Sequence, residues 1–179
     1  DYINGGISMS SILRVDSIQT SSGGSATASG LGIDIGSTGK IGQMISATHS
    51  TSLSTSSTSR VSTGLTATIT PSASSSKILV LMTMAVAVNR ANAEIYLQYA
   101  LQRGGSDIWH TQSSQPWGAY MGGTNHVYLT GQINLTYVDS PSTTSATTYS
   151  ITGCQNGGGT AAFNAHNIPS TMQLLEVLA

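Results

Sequence analysis

Charged residues are scarce in this sequence of 179 residues. Lysine, arginine, aspartate and glutamate make up only 7% of it, whereas an average soluble domain is about a quarter charged. This deficit argues against a free cytosolic enzyme, which usually needs charge for solubility and for chemistry. Hydrophobic residues make up 39%, which argues against simple disorder. Low charge together with abundant serine, threonine, glycine and alanine is typical of β-rich assembly and surface proteins.

Further absences exclude other classes of protein. The net charge is −1 and the basic residues are scattered, so no nucleic-acid partner is expected. The single cysteine, Cys154, leaves no intrachain disulfide and no cysteine cluster for a structural metal. No stretch resembles a signal peptide, and Met9 is a candidate natural start that would make residues 1–8 an upstream piece.

The longest apolar run extends from Ser76 to Val88 and reads SKILVLMTMAVAV. It is too short to span a bilayer as a helix, which takes about 20 apolar residues, so no membrane insertion is expected. It contains no glycine or proline and lacks a polar–apolar alternation, which predicts a central strand covered on both faces. A helix is the alternative, but the preceding residues 70–76 are turn material without a helical cap.

Shorter alternating segments predict further strands on both sides of this run. The clearest is 93–103, where Ile95, Leu97, Tyr99 and Leu101 recur at period two. A helix is the rival there, since alanine, glutamate, leucine and glutamine favour helices. Other strands are predicted at 41–49, 61–71, 127–138 (with Gly131 as a candidate bulge), 146–152 and 171–178. The segments 50–59, 106–124 and 154–165 are predicted as loops, the first alternatively as an edge segment. About eight short strands without a convincing helix predict an all-β jelly roll, a β-sandwich head spanning 41–179.

Residues 1–40 are predicted to form an N-terminal arm without its own core. The short alternation around Ile12, Leu13, Val15 and Ile18 buries too little to fold alone, because units below about 40 residues usually need metals, disulfides or oligomerisation. We therefore expect other subunits or a host structure to order the arm. A floppy tail is the alternative.

Motifs for catalysis and for cofactors are weak. Gly30 to Gly36 lacks the spacing and the following helix of a dinucleotide loop. Asp107 and His110 with a serine, or Cys154 with a histidine, lack a nucleophile elbow or any other sign of activation. The carboxylates form no acidic pair for glycoside cleavage, and the histidines show no metal spacing. We predict no enzymatic activity, no cofactor and no metal.

The best candidate binding site is the aromatic loop and the residues that follow it. The candidates combine flat apolar faces with hydrogen-bonding groups, a mixture that suits sugar stacking or a protein hot spot. They are Trp109, His110, Trp117, Tyr120, Asn125 and His126. The alternative is that both tryptophans fill the core or a subunit interface.

Four segments together resemble a known family. They are ILRVDSIQTSSG (Ile12–Gly23), STGLTATITPSASSSKILVLMTMAV (Ser62–Val86), YVDSPSTTSATTYSIT (Tyr137–Thr152) and STMQLLEVLA (Ser170–Ala179). They resemble the openings and C-terminal heads of small bacteriophage fibre and appendage proteins. The resemblance implies a homotrimer with a jelly-roll head similar to tumour-necrosis-factor-like and complement-type heads. It also implies an N-terminal arm that trimerises or docks on other virion proteins.

These observations lead to three hypotheses. In the first, the protein is a short phage fibre or appendage, made in the bacterial cytoplasm and carried on the virion surface, whose head binds a host-surface glycan or protein. In the second, it is a capsid decoration protein without a host ligand. In the third, which the missing acidic pair disfavours, it is a surface polysaccharide hydrolase.

Overall fold

The computed structural model describes residues 39–91, 94–111, 117–119 and 126–179. The predicted arm, including Ile12, Leu13, Val15 and Ile18, lies outside these residues. The described residues form eleven strands and one short 3₁₀ helix at Ala165–Asn167, and among them no helix has the length and apolarity to cross a membrane. The strands are β1 (Ile41–His49), β2 (Leu53–Thr55), β3 (Val61–Ile69), β4 (Lys77–Ala91), β5 (Ile95–Arg103), β6 (Ser106–His110), β7 (Trp117–Ala119), β8 (His126–Asp139), β9 (Thr147–Asn156), β10 (Thr160–Phe163) and β11 (Ser170–Val177).

Two antiparallel sheets pack face to face. The six-stranded sheet has the order β1-β11-β4-β10-β2, with β8 on the other edge of β4. The five-stranded sheet has the order β3-β9-β5-β6, with β7 also paired to β5. The main strands thus run β1-β11-β4-β8 in one layer and β3-β9-β5-β6 in the other, which is the strand order of a jelly roll. The predicted fold class is confirmed.

The long apolar run forms the central strand β4. One edge of β4 pairs with β8 from Ile78 to Ala91, and the other edge pairs first with β11 and then with β10. Ala85 to Val88 are all buried, so both faces of the strand are covered here, and the 3₁₀ helix contacts β4. In the first half of β4 the outward Leu79 and Leu81 are only half-buried. The prediction of two covered faces is therefore correct for the second half only.

The core lies between the sheets and follows the period-two pattern of the sequence. Ile95, Leu97, Tyr99 and Leu101 of β5 are all buried, so the strand interpretation of this segment is confirmed and its helical rival is wrong. The largest fully buried side chains are Leu65, Ile69, Ile78, Met84, Ile95, Leu97, Leu101, Tyr149, Ile151, Phe163, Met172 and Leu174.

Three predicted loops contain strands. The serine- and threonine-rich segment holds β2, an edge strand that pairs with β10. The segment 154–165 includes the end of β9 and all of β10, and the segment 106–124 includes β6 and β7. These strands are short and polar on one side, so their own sequences favour a strand only weakly. They form strands because neighbouring strands pair with them. Cys154, on β9, is buried.

Gly131 is not a bulge, because the register of β8 against β4 is continuous across it. A side chain at this position would place its Cβ 2.9 Å from Cζ2 of Trp117 on the opposite sheet. Gly131 is therefore needed for the close approach of the indole ring and not for a kink in the strand.

Glu176 is a buried carboxylate on β11, with 1% of its surface exposed. The backbone N–H and the hydroxyl of Ser72 both donate to its Oε1 at 2.7 Å, and Nε2 of Gln43 donates to its Oε2 at 2.7 Å. Burial alone would raise the pKa of Glu176, but these hydrogen bonds to the charged form lower it from 4.5 to about 2. The carboxylate joins β1 and the β3–β4 turn to β11.

Asp139 forms a second buried charge network, at the end of β8. Nη1 of Arg103 donates to both of its carboxylate oxygens at 2.8 Å, and the hydroxyl of Tyr149 donates to Oδ2 at 2.6 Å. Burial, followed by this hydrogen bond to the carboxylate, raises the pKa of Tyr149. Because Asp139 belongs to the six-stranded sheet and its two donors to the five-stranded sheet, the network ties the two layers together.

The contact between Gly153 and Phe163 across the core generates a first prediction. The Cβ of an alanine at position 153 would overlap the Phe163 ring. Gly153→Ala should therefore destabilise the fold by about 1–3 kcal/mol through overpacking, seen as a lower midpoint in urea. In the Phe163→Leu background the same change should cost clearly less, because the two substitutions share one space. Equal costs in both backgrounds would contradict the contact.

Glu176 generates a prediction about pH. Its pKa is lower in the folded than in the unfolded state, so its stabilising effect is full above about pH 4.5 and is lost as the pH falls toward 2. Glu176→Gln should lower stability at pH 7 by about 2 kcal/mol, and the difference from wild type should shrink over this window in thermal melts. The exposed Glu94→Gln is the matched control and should leave the pH profile of wild type intact. A constant gap between Glu176→Gln and wild type from pH 7 to 2 would refute this role.

Candidate functional site

Trp109 lies at the edge of the core. It pairs with the buried Leu101, so it shares the core-facing side of the sheet, and its ring lies 5.3 Å from that of Tyr99. His110 is the next residue on β6 and is exposed, with Nδ1 3.0 Å from the carbonyl oxygen of Thr111. The two neighbouring candidates thus lie on opposite sides of the same strand.

Trp117 also packs against the core. It pairs with Leu97 on β5 and contacts Gly131 of the opposite sheet, so it closes the gap between the layers. Both tryptophans are half-buried, and their contacts agree with the core-filling alternative. Tyr120, Asn125 and the side chain of His126 lie outside the described part of the chain. Ligand binding by the aromatic loop stays a prediction.

A different set of residues forms a groove on the outer face of the six-stranded sheet. Asn89 of β4 pairs with Tyr128 of β8 on one side and with Thr160 of β10 on the other. Paired residues of antiparallel strands project from the same face. The inward Val88 belongs to the core, so Asn89, Tyr128 and Thr160 form a row on the outside.

Small side chains keep the floor of the groove low. Ala87 pairs with Ala162 of β10, which in turn pairs with Ser54 of the edge strand β2. Two adjoining depressions of about 570 and 140 Å³ share Asn89 and Thr160 as lining residues. We call this region the groove and define it by Ser54, Ala87, Asn89, Arg90, Tyr128 and Thr160.

The wall of the groove at β8 is Tyr128, which is 55% exposed. Its hydroxyl lies 2.9 Å from Nε2 of His166, and the two rings meet edge to face with centroids 6.1 Å apart. His166 belongs to the 3₁₀ helix and has a left-handed backbone, with φ of 59°. The aromatic ring is therefore held in place by a neighbour while more than half of the residue stays accessible.

Arg90 borders the larger depression at the end of β4, together with Asn89 and Thr160. Its side chain leaves the strand on the side opposite to Asn89 and runs toward the β9–β10 turn. Its Nη1 donates to the carbonyl oxygen of Glu94 at 2.6 Å, and the β9–β10 turn passes beside it. A Cβ at Gly157, where φ is 121°, would lie 2.5 Å from that carbonyl and 2.9 Å from the guanidinium. Within the described part of the chain Arg90 has no carboxylate partner, whereas Arg60 and Arg103 are both paired. The groove is therefore polar, and its one positive charge has no carboxylate partner among the described residues.

The hydrogen-bonding groups of the groove are free in the described structure. Among the described residues, the side chains of Ser54, Asn89 and Thr160 form no hydrogen bonds with one another or with other protein groups. No group of three histidine, cysteine, aspartate or glutamate side chains that could hold a metal ion is found in the described ranges. The groove therefore offers donors, acceptors, an aromatic ring and a cation.

An apolar row crosses the other half of the same outer face. The pairing places Met44, Leu175, Leu79 and Val138 side by side on β1, β11, β4 and β8. Met44 is 61% exposed and Val138 is 55% exposed, and Leu79 and Leu175 are half-buried. Ile41, also exposed, lies near the same edge. We call Met44, Leu79, Val138 and Leu175 the apolar row.

Sequence reasoning missed the groove and the apolar row for the same reason. Each is assembled from four strands that lie far apart in the chain, and only the register brings their members together. Single exposed apolar residues such as Met44 carry no signal alone. The polar segment 89–92 predicts a turn, whereas in the structure β4 continues to Ala91. The one signal in the sequence for the groove is the presence of small residues, Ala85, Ala87 and Ala162, because small side chains leave space on the outer face of a sheet.

No protein-family model and no curated protein matches this chain. Among solved structures, this chain is similar to a chain in the T=1 particles derived from infectious bursal virus. The two are 15% identical in sequence over 78% of this chain and 37% of that chain, with a TM-score of 0.34. The structure of the Gx strain of infectious bursal disease virus is 13% identical in sequence over 78% of this chain and 39% of that chain, with a TM-score of 0.31. This chain spans less than two-fifths of the length of those chains. Likeness at this level carries no argument about function.

Proposed function

We propose that this protein is a structural component of a bacteriophage virion, a short fibre or appendage. It assembles as a homotrimer, and its jelly-roll head binds a glycan or protein on the host surface. Two lines support the proposal. Four segments of the sequence resemble such proteins, and the all-β head has the fold that the resemblance implies.

The observation that carries the proposal is the apolar row. It sets two strongly exposed apolar residues, Met44 and Val138, in line with Leu79 and Leu175 across four strands. Contiguous exposed apolar patches mark interaction sites in soluble proteins, and homo-oligomer interfaces are more apolar than ordinary surface. The row contains no charge, so it suits packing against another copy of this chain. We assign it to the interface between the protomers.

The scarcity of charge fits the same role. With 7% charged residues, the surface relies on serine and threonine hydroxyls for its contact with water. Both buried carboxylates of the described residues accept hydrogen bonds that hold the fold together. Glu176 accepts from Ser72 and Gln43, and Asp139 accepts from Arg103. Such a surface serves assembly and adhesion better than acid–base chemistry, which needs ionisable groups free to exchange protons.

The mass of the purified protein in solution tests the proposal. Light scattering should give three times the chain mass of 18.4 kDa. Met44→Glu should shift the protein to a smaller species, because it places a charge in the interface. Ile168→Glu is the matched control, since Ile168 is 44% exposed and lies outside the row, and it should keep the wild-type mass. A wild-type monomer, or a Met44→Glu protein with unchanged mass, would contradict the interface.

The location on purified phage separates the fibre from the capsid decoration hypothesis. Antibodies against the head should label the tail or an outward appendage and should block adsorption to host cells. Labelling spread over the shell, with adsorption unaffected, would favour the decoration protein.

A further inference from the structure

From the groove we infer that the head binds an acidic saccharide, an oligosaccharide that carries a carboxylate. The inference rests on the proposed function and assigns its ligand class and its site. It places the ligand on the outer face of the six-stranded sheet, away from the aromatic loop that the sequence favours.

The first argument is the division of the outer face. Leu79 of the apolar row and Asn89 of the groove are ten residues apart on the extended strand β4, a distance of about 33 Å. A protomer contact at the apolar row therefore leaves the groove open. One strand carries both surfaces, so assembly presents three copies of the groove in a fixed arrangement, and several weak sites gain avidity when they are linked.

The second argument is the chemistry of the groove. Sugars present hydroxyls on their rims and C–H groups on their ring faces. The free side chains of Ser54, Asn89 and Thr160 supply donors and acceptors for the hydroxyls. Tyr128, fixed by His166, supplies an aromatic ring for the apolar face of a sugar. The small side chains of Ala87 and Ala162 line the smaller depression beside Tyr128 and so leave space there for part of a sugar.

The third argument selects an acidic ligand over a neutral one. Arg90 is the cation of the groove, and among the described residues no carboxylate neutralises it. Its Nη1 is held by the carbonyl of Glu94, which fixes the guanidinium beside the depression. Guanidinium groups bind carboxylates through short, charge-assisted hydrogen bonds. A sugar carboxylate at this end would supply the missing partner.

Calorimetric titration of the purified protein tests this assignment. The probes are sialyllactose and tri-galacturonate, with lactose and galactotriose as their neutral counterparts. We expect both acidic probes to bind at least about tenfold more tightly than their counterparts, the value of one charge-assisted hydrogen bond. Failure of both acidic probes to bind, or equal affinity for acidic and neutral probes, would overturn the inference.

Substitutions locate the site. Arg90→Gln should remove the preference for the acidic probes, and Arg60→Gln is the matched control, because it removes one arginine charge outside the groove and should preserve the preference. Tyr128→Ala should weaken binding by about tenfold, whereas Tyr128→Phe keeps the ring and should retain most of the affinity. Full affinity in both Arg90→Gln and Tyr128→Ala would overturn the assignment.

Each variant is checked for mass and melting temperature before titration, so that loss of binding is not confused with loss of folding. The same measurements separate the two proposals. A monomer that binds the acidic probes through Arg90 and Tyr128 would contradict the trimer and leave the groove standing. A trimer that binds none of the probes would contradict the groove alone.

Discussion

The rest of the structure depends on the pairing of β4 along both of its edges. β8 covers one edge over fourteen residue pairs, and β11 and β10 share the other in tandem. Most backbone groups of this strand are thereby hydrogen-bonded to neighbouring strands, and at the junction of β11 and β10 the N–H of Ala85 donates to Oγ of Ser170. The apolar side chains of β4 can therefore be buried while its backbone polar groups keep their partners. The strand supplies the inner face of the core through residues such as Val80 and Met84. Its register with three neighbouring strands, β8, β10 and β11, fixes which of their residues share the outer face.

The outer face of this sheet divides along the length of β4. At one end the apolar row exposes Met44 and Val138, and at the other Asn89 lies between Tyr128 and Thr160. Alanines fill the face where the groove begins, and leucines fill it at the row. The single strand β4 thus contributes to both surfaces, the apolar row that we assign to self-association and the groove that we assign to a ligand.

The sequence predicts the all-β fold and most strands because its alternation is local. The period-two pattern from Ile95 to Leu101 and the unbroken apolar run of β4 can each be recognised within a few residues. It predicts the segment of β2 only as a loop or, alternatively, as an edge segment, because the sequence around Leu53 resembles any serine-rich loop. The pairing with β10 confirms the edge alternative. The same limit applies to Trp109 and Trp117, whose aromatic character marks either a core or a binding site. The contacts of the two tryptophans become clear only from the residues that face them in the structure, such as Gly131 on the sheet opposite Trp117.

Hydroxyl-radical footprinting across a range of protein concentrations tests the division of the outer face most directly. Met44 and Tyr128 are reactive side chains with similar exposure in one protomer, 61% and 55%. As the protein assembles with rising concentration, oxidation of Met44 should fall while oxidation of Tyr128 stays constant. Oxidation of Met44 that is independent of assembly, or equal protection of Tyr128, would contradict the account.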